Sequence, residues 1–320
     1  MREHGGDLDA AVRRFGGDPD EWIDLSTGIN RLPWPMPDLP EPVTRALPSR
    51  ALTDRVLAAA RAAYGTDAPA VALAGAQAAI QLVPMLRPRG VARVLSPTYN
   101  EHSGALESAG WQVETPGTLN ALAGADIAVA VNPNNPDGRC YDPQALRALA
   151  DRVGLLVVDE SFADPLPGLS LLPDLPAEGV LVLRSFGKFY GRAGLRLGFA
   201  FGSQADIVRI QGMAGPWAVS GPALAAGADG LADDAWRVQA VARLAAGAVK
   251  LDAMATGAGW RLVGGTTQFR LYDTGDGAAA RTRLARHRIW SRAFSAHPEW
   301  LRLGLPGPEA EWSRLADALR

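Results

Sequence analysis

The 320-residue chain has a single cysteine, Cys140. No internal disulfide can form, and such sparing use of cysteine fits a reducing compartment. An excess of either charge is also missing: 32 Lys and Arg stand against 34 Asp and Glu, a formal net charge of −2. That balance leaves no electrostatic footprint for nucleic acid or for an acidic membrane surface. The one basic cluster, 281-RTRLARHR-288, reads as a solvated helix face. The opening MREHGGDLDA lacks the apolar core of a signal peptide. No run is long and apolar enough to span a bilayer. The expectation is a cytoplasmic protein without nucleic-acid or membrane partners.

Several cofactor motifs are absent too. The phosphate-cradling pattern G-x-x-x-x-G-K-[ST] fails at Gly187-Lys188, where Phe189 replaces the hydroxyl residue and Val182 the first glycine. No G-x-G-x-x-G follows a strand pattern, and there is no G-x-S-x-G elbow. Four histidines (His4, His102, His287, His297) and one cysteine give no metal-ligand spacing, so no metal is expected.

What is present is apolar material, 48% of residues, in a chain long enough for about two domains. The first fifty residues contain 32-LPWPMPDLPEPV-43 and Pro48, which predicts an extended arm with little regular structure. From Thr53 to Gly65 the pattern is helical. Beyond it, apolar runs at 92–96, 126–131, 154–159, 180–185 and 197–201 alternate with helical stretches such as 101–110 and 143–153. The second of these has Asp142 as N-cap and Pro143 at its first position. Strands alternating with helices predict a doubly wound α/β layer with a mostly parallel central sheet. After Gly221 long alanine-rich helices and strand patterns at 266–273 and 299–305 predict a smaller α+β domain. The expected division is an N-terminal arm at 1–45 belonging to the small domain, a large domain at 46–220 and a small C-terminal domain at 221–320.

In open parallel sheets ligands sit at the carboxyl ends of strands. There the sequence places Asn132, Asn134 and Asn135, then Asp159, then Ser185 and Lys188. A lysine after a buried strand, with Arg192 and Arg196 nearby, is expected to have a depressed pKa, as a Schiff-base lysine needs. Asp159 on apolar scaffolding needs a cationic partner or several donors to stay ionised. Gly75, Ala76 and Gln77 precede a helical stretch and could receive a phosphate, with Ser185 and Arg196 completing the site. Each residue alone has a plainer reading: Asp159 a strand-end cap, NPNNPDG a turn, Lys188 a surface lysine, Arg196 a structural arginine. Their joint order at successive strand ends is harder to explain that way.

The ordering 132-NPNNPDG-138, 157-VVDES-161, 184-RSFGK-188 and 194-GLRLGF-199 resembles the fold-type I pyridoxal-phosphate enzymes of the class I/II aminotransferase superfamily. The resemblance covers nearly the whole chain. It implies that Lys188 attaches the cofactor, that Asp159 pairs with the pyridine nitrogen and that Tyr99 stacks on the ring. It implies that Asn135 meets the phenolic oxygen, and that Gly75, Ala76, Gln77, Ser185 and Arg196 surround the phosphate. By the same resemblance Arg302 meets a substrate carboxylate and Arg292 a second anion. Three positions depart from the pattern: Phe162 and Leu52 stand where relatives carry tyrosines, and Gly187 replaces a common serine. The segments 4-HGGDLDAAVRRFG-16, 23-IDLSTGIN-30 and 215-GPWAVSGPALAAG-227 are similar to the L-threonine-O-3-phosphate decarboxylase family of cobalamin biosynthesis. That branch implies decarboxylation of a small phosphorylated amino acid, a homodimer, and substrate contacts from His4, Gly28 and Asn30. The alternative is the histidinol-phosphate aminotransferase branch, which shares the core motifs.

Overall fold

The apolar runs at 127–131, 155–158 and 180–183 have no polar residue at alternate positions, so neither face of such a strand can be left to water. In the computed structural model, which describes residues 4–175 and 177–320, all three are buried and lie side by side. In chain order the strands are β1 (Ile23–Asp24), β2 (Ala70–Leu73), β3 (Val91–Val94), β4 (Gln112–Glu114), β5 (Ile127–Val131), β6 (Leu156–Asp159), β7 (Val180–Ser185) and β8 (Gly198–Gly202). They continue with β9 (Arg261–Gly265), β10 (Phe269–Asp273), β11 (Ile289–Trp290), β12 (Arg292–Phe294) and β13 (His297–Gly304). By their contacts the described residues form two units, one of 34–135 and 140–236, the other of 4–33, 136–139 and 237–320.

The larger unit holds a seven-stranded sheet of order β2-β8-β7-β6-β5-β3-β4. All neighbours run parallel except β8, which is antiparallel to β2 and β7. Helices follow the start and stop signals of the sequence. Helix Pro143–Ala150 begins where the Asp142 carboxylate accepts from the Gln144 N–H at 2.7 Å. Helix Arg50–Tyr64 ends at Gly65 in the left-handed region, φ 65°. Helix Gly221–Leu231 packs on that same helix. Because β5, β6 and β7 are parallel neighbours, their carboxyl ends open on one edge, and the chain places Asp159 and Ser185 there.

The smaller unit contains a four-stranded antiparallel sheet, β12-β13-β10-β9, and a short parallel pair, β1 with β11. Its N-terminal part is not the extended arm that proline content suggests. Residues Leu8–Phe15 form a helix, started by Asp7 accepting from the Ala10 N–H at 2.8 Å. One face of it buries Ala11 and packs Leu8, Val12 and Phe15 against Trp22, Ala285 and Trp290. The prolines act only further on: residues 33–40 have no regular structure. The basic cluster is likewise not just a solvated face, since the Arg281 and Arg288 guanidinium groups lie 5.3 Å and 5.6 Å from the ring centroids of Trp290 and Trp22. Such contacts between a cation and an aromatic face bury the arginine stems on the rings. Among the described residues no helix is long and apolar enough to cross a membrane.

Candidate active site

At the carboxyl edge of β5, β6 and β7 lies a cavity of about 120 Å³. Lys188, Asp159, Asn135 and Ser185 line it, with Tyr99, Ala76, Gln77 and Arg196. These eight residues come from positions 76 to 196 and are brought together by the sheet order. Gly75 completes the group from behind. Its φ is +81°, and a Cβ there would lie 2.7 Å from Arg196 Nη2, so a glycine leaves room for the guanidinium beside the start of helix Ala76–Leu82. Arg192, by contrast, is turned away from the cavity. Its Nε and Nη2 donate to the Trp34 carbonyl at 2.8 Å and 2.6 Å.

Asp159 is held through both of its carboxylate oxygens. Oδ1 accepts from the Ser161 N–H at 3.0 Å and from the Ser161 hydroxyl at 2.5 Å. Oδ2 accepts from His102 Nε2 at 2.9 Å, and both side chains are buried. Burial alone pushes the Asp159 carboxyl up; the bond to His102, the charge on its ring and the two bonds from Ser161 outweigh it and hold the carboxyl below its ordinary range. His102 was not among the expected site residues. Weighing the histidines only as metal ligands hides it, because its partner is a carboxylate 57 positions away.

The asparagines of NPNNPDG divide their work. Asn132 Nδ2 donates to the carbonyls of Tyr141 and Leu169 at 3.1 Å and 3.2 Å, and its Oδ1 accepts from the Tyr141 N–H at 3.0 Å. Asn134 accepts from the Thr98 hydroxyl at 2.6 Å and donates to the Pro97 carbonyl at 2.9 Å. Both are buried and shape the turn; Asn135 is the one that lines the cavity. Phe162 is also buried in the wall, with Lys188 Nζ 5.6 Å from its ring centroid. Behind the site Glu160 and Arg184, adjacent to Asp159 and Ser185 in sequence, pair at 3.1 Å with both side chains buried.

The donor set fits pyridoxal phosphate. An anionic carboxylate can hold a proton on a pyridine nitrogen, an amine can attach an aldehyde, and a hydroxyl with a guanidinium beside a glycine cradle can take a phosphate.

The other five expected residues belong to the smaller unit. Arg302 is buried, donates from Nη2 to the Ser26 carbonyl at 2.5 Å, and lies 5.0 Å from the Phe269 ring centroid. Arg292 stands directly opposite Arg302 in the antiparallel ladder. Like charges at paired positions of a ladder are unfavourable neighbours, and an anion taken up there would offset that. The Gly28 carbonyl accepts from Gln268 Nε2 at 3.4 Å, and buried Asn30 accepts from the Leu32 N–H at 3.0 Å. His4 is exposed, but the two residues after it are docked. The Gly6 N–H donates to Ser26 Oγ at 2.7 Å, and a Cβ on Gly5 would fall 2.4 Å from the Ser26 carbonyl oxygen. Ser26 therefore receives both the start of the chain and Arg302, and Gln268 and Ser26 are contacts that residue types alone do not announce.

A family model described as aminotransferase class I and II matches residues 49–319. A threonine-phosphate decarboxylase from a Sinorhizobium species is 41% identical over 99% of this chain and 97% of its own. One from Pseudomonas aeruginosa is 41% identical over 100% of this chain and 97% of its own. Among solved structures, histidinol-phosphate aminotransferase from Sinorhizobium meliloti in complex with pyridoxal-5'-phosphate superposes with a TM-score of 0.82 at 20% identity, covering 100% of this chain and 94% of that one.

Proposed function

The chain belongs to the class I and II aminotransferase family, and from that premise we propose that it is a pyridoxal-phosphate-dependent carboxy-lyase acting on L-threonine O-3-phosphate. The product would be (R)-1-amino-2-propanol O-2-phosphate, the part in cobalamin biosynthesis that the resemblance implies. The observation that carries the reading is the meeting of Lys188, Asp159, Asn135, Ser185 and Arg196 around one cavity. The substrate is supported by the near full-length likeness to two threonine-phosphate decarboxylases.

Bound pyridoxal phosphate supplies a sink for the electron pair left when a Cα bond breaks. Asp159, held ionised by His102 and Ser161, keeps the proton on the ring nitrogen that makes the sink effective. Lys188 would hold the cofactor at its aldehyde carbon, and its Nζ is the group that would carry a proton to the substrate's Cα once carbon dioxide has left. Arg292 and Arg302 take anionic groups of the substrate, with further contacts from His4, Gly28 and Asn30. Firm anchoring of the substrate's phosphate by these residues would leave its carboxylate free to depart.

A homodimer and a cytoplasmic setting complete the reading. Trp217 is 59% exposed beside a groove formed by residues of 48–57, 70–72 and 211–224 within the larger unit, a surface suited to a second copy. The exposed thiol of Cys140, which is in no disulfide, suits a reducing compartment.

The test has two parts. Borohydride treatment of protein loaded with pyridoxal phosphate should fix the cofactor on Lys188, and Lys188→Ala should abolish the adduct. Incubation with L-threonine O-3-phosphate should release carbon dioxide, with no 2-oxoglutarate-dependent amino transfer from histidinol phosphate. The reverse pattern assigns the chain to the aminotransferase branch.

A further inference from the structure

Gln77 has two polar ends, and both are engaged. Its Nε2 donates to Glu101 Oε2 at 2.9 Å, and its Oε1 accepts from the Tyr99 hydroxyl at 3.2 Å. An ionised carboxylate only accepts, so Glu101 dictates which way the Gln77 amide faces. Once Nε2 faces Glu101, the amide oxygen must face Tyr99, and the tyrosine hydroxyl must act as donor. Glu101 is buried at the first position of helix Glu101–Ser108, two residues after Tyr99 and one before His102. This turn therefore makes two separate ties, Glu101 to Gln77 and His102 to Asp159. Tyr99 and Gln77 line the cavity between them.

We propose that Glu101 is a positioning residue which, through Gln77, holds the Tyr99 ring in place as a wall of the cofactor cavity. The proposal rests on the reading of that cavity as the pyridoxal-phosphate site. The competing account is a plain one: an acidic residue in the first turn of a helix complements its dipole. The two differ in what a glutamine does. Glutamine keeps an acceptor for Gln77 Nε2 but loses the charge, so it preserves the chain of bonds and not the interaction with the dipole.

The experiment uses the full chain, with pyridoxal phosphate as the probe. Its dissociation constant and the visible circular dichroism of the bound cofactor are measured for wild type, Glu101→Leu, Glu101→Gln, Tyr99→Phe and the Glu101→Leu/Tyr99→Phe double variant. Loss of one hydrogen bond should raise the dissociation constant about three- to tenfold in Glu101→Leu and in Tyr99→Phe, with the same change in the dichroic band. Glu101→Gln should stay within about twofold of wild type, and the double variant should be no worse than the poorer single one, because both break one chain. Equal behaviour of Glu101→Leu and Glu101→Gln, or additive effects in the double variant, overturns the proposal. So does Tyr99→Phe with wild-type affinity and dichroism, an arm that needs no change at Glu101. Failure of the wild-type protein to take up pyridoxal phosphate overturns the cavity reading itself and the proposal with it, a result seen before any variant is compared.

Discussion

His102 Nε2 sits 2.9 Å from Asp159 Oδ2, and neither side chain has appreciable exposure. The pair joins the helix after Tyr99 to the end of β6, so the acid expected to control the cofactor ring is fixed by a second element.

His102→Phe should unmask the cost of burying that carboxylate. In the wild type the Asp159 carboxyl lies below its ordinary value of 3.8, so it contributes stability above that pH and loses it as pH falls through the lowered value. Without His102 two of the causes that lower the carboxyl are gone while burial, the largest cause, still raises it, so the group should move up and the variant should gain less stability from its ionisation as pH rises. The deficit should be about 3 kcal/mol at neutral pH, the low end for a broken buried pair because Ser161 still donates, and it should shrink towards pH 3. Urea unfolding of the cofactor-free protein across this range checks it. A deficit that does not vary with pH refutes the electrostatic account.

Arg196→Ala should weaken cofactor retention more than it alters the chemistry. A charge-assisted contact to a phosphate is worth roughly 1.5–3 kcal/mol, so affinity for pyridoxal phosphate should fall by about one to two orders of magnitude. The guanidinium already lies against Gly75 at the start of helix Ala76–Leu82, so loading should require no rearrangement there. Equilibrium dialysis measures the effect, and unchanged affinity removes Arg196 from the phosphate site.

The strand-end chemistry was legible because periodicity and polarity change together at Asp159 and Ser185: a buried run stops and a polar group follows. Other parts left too little signal. β2 has four residues and β4 three, and alanine gives β2 no strand preference that would distinguish it from a helix. Leu8–Phe15 was obscured by proline content that belongs to the residues after it. His102 could not be found by spacing, since its tie to Asp159 exists only once β6 and the helix meet. The opposition of Arg292 and Arg302 was equally hidden, because a register shift between Ala293 and Phe294 interrupts the count along the strands.

Sedimentation of the loaded protein should show a dimer, and Trp217→Glu should move the population towards monomer. An exposed tryptophan beside a groove is the feature a partner copy would cover, and a buried carboxylate there is costly. An active, cofactor-loaded monomer in the wild type excludes the dimer reading.

Arg292→Ala should separate function from stability. Arg292 and Arg302 occupy paired positions on β12 and β13, and like charges directly opposite each other are unfavourable neighbours. Removing Arg292 takes away that pairwise repulsion. The cofactor-free variant should therefore be as stable as wild type or more so, by about 0.2–1 kcal/mol. Arg302 is the member to keep for this comparison, because its bond to the Ser26 carbonyl also ties down the segment on which Gly5 and Gly6 dock. If the pair binds an anionic group of the substrate, the same variant should raise KM for L-threonine O-3-phosphate by about ten- to a hundredfold, the worth of one charge-assisted bond. The absorbance of the bound cofactor should not change, since every residue that lines that cavity is kept. Thermal unfolding, steady-state kinetics and the visible spectrum together check the three parts. A variant that loses stability while KM stays the same makes Arg292 a structural residue and leaves the substrate's second anion to another group.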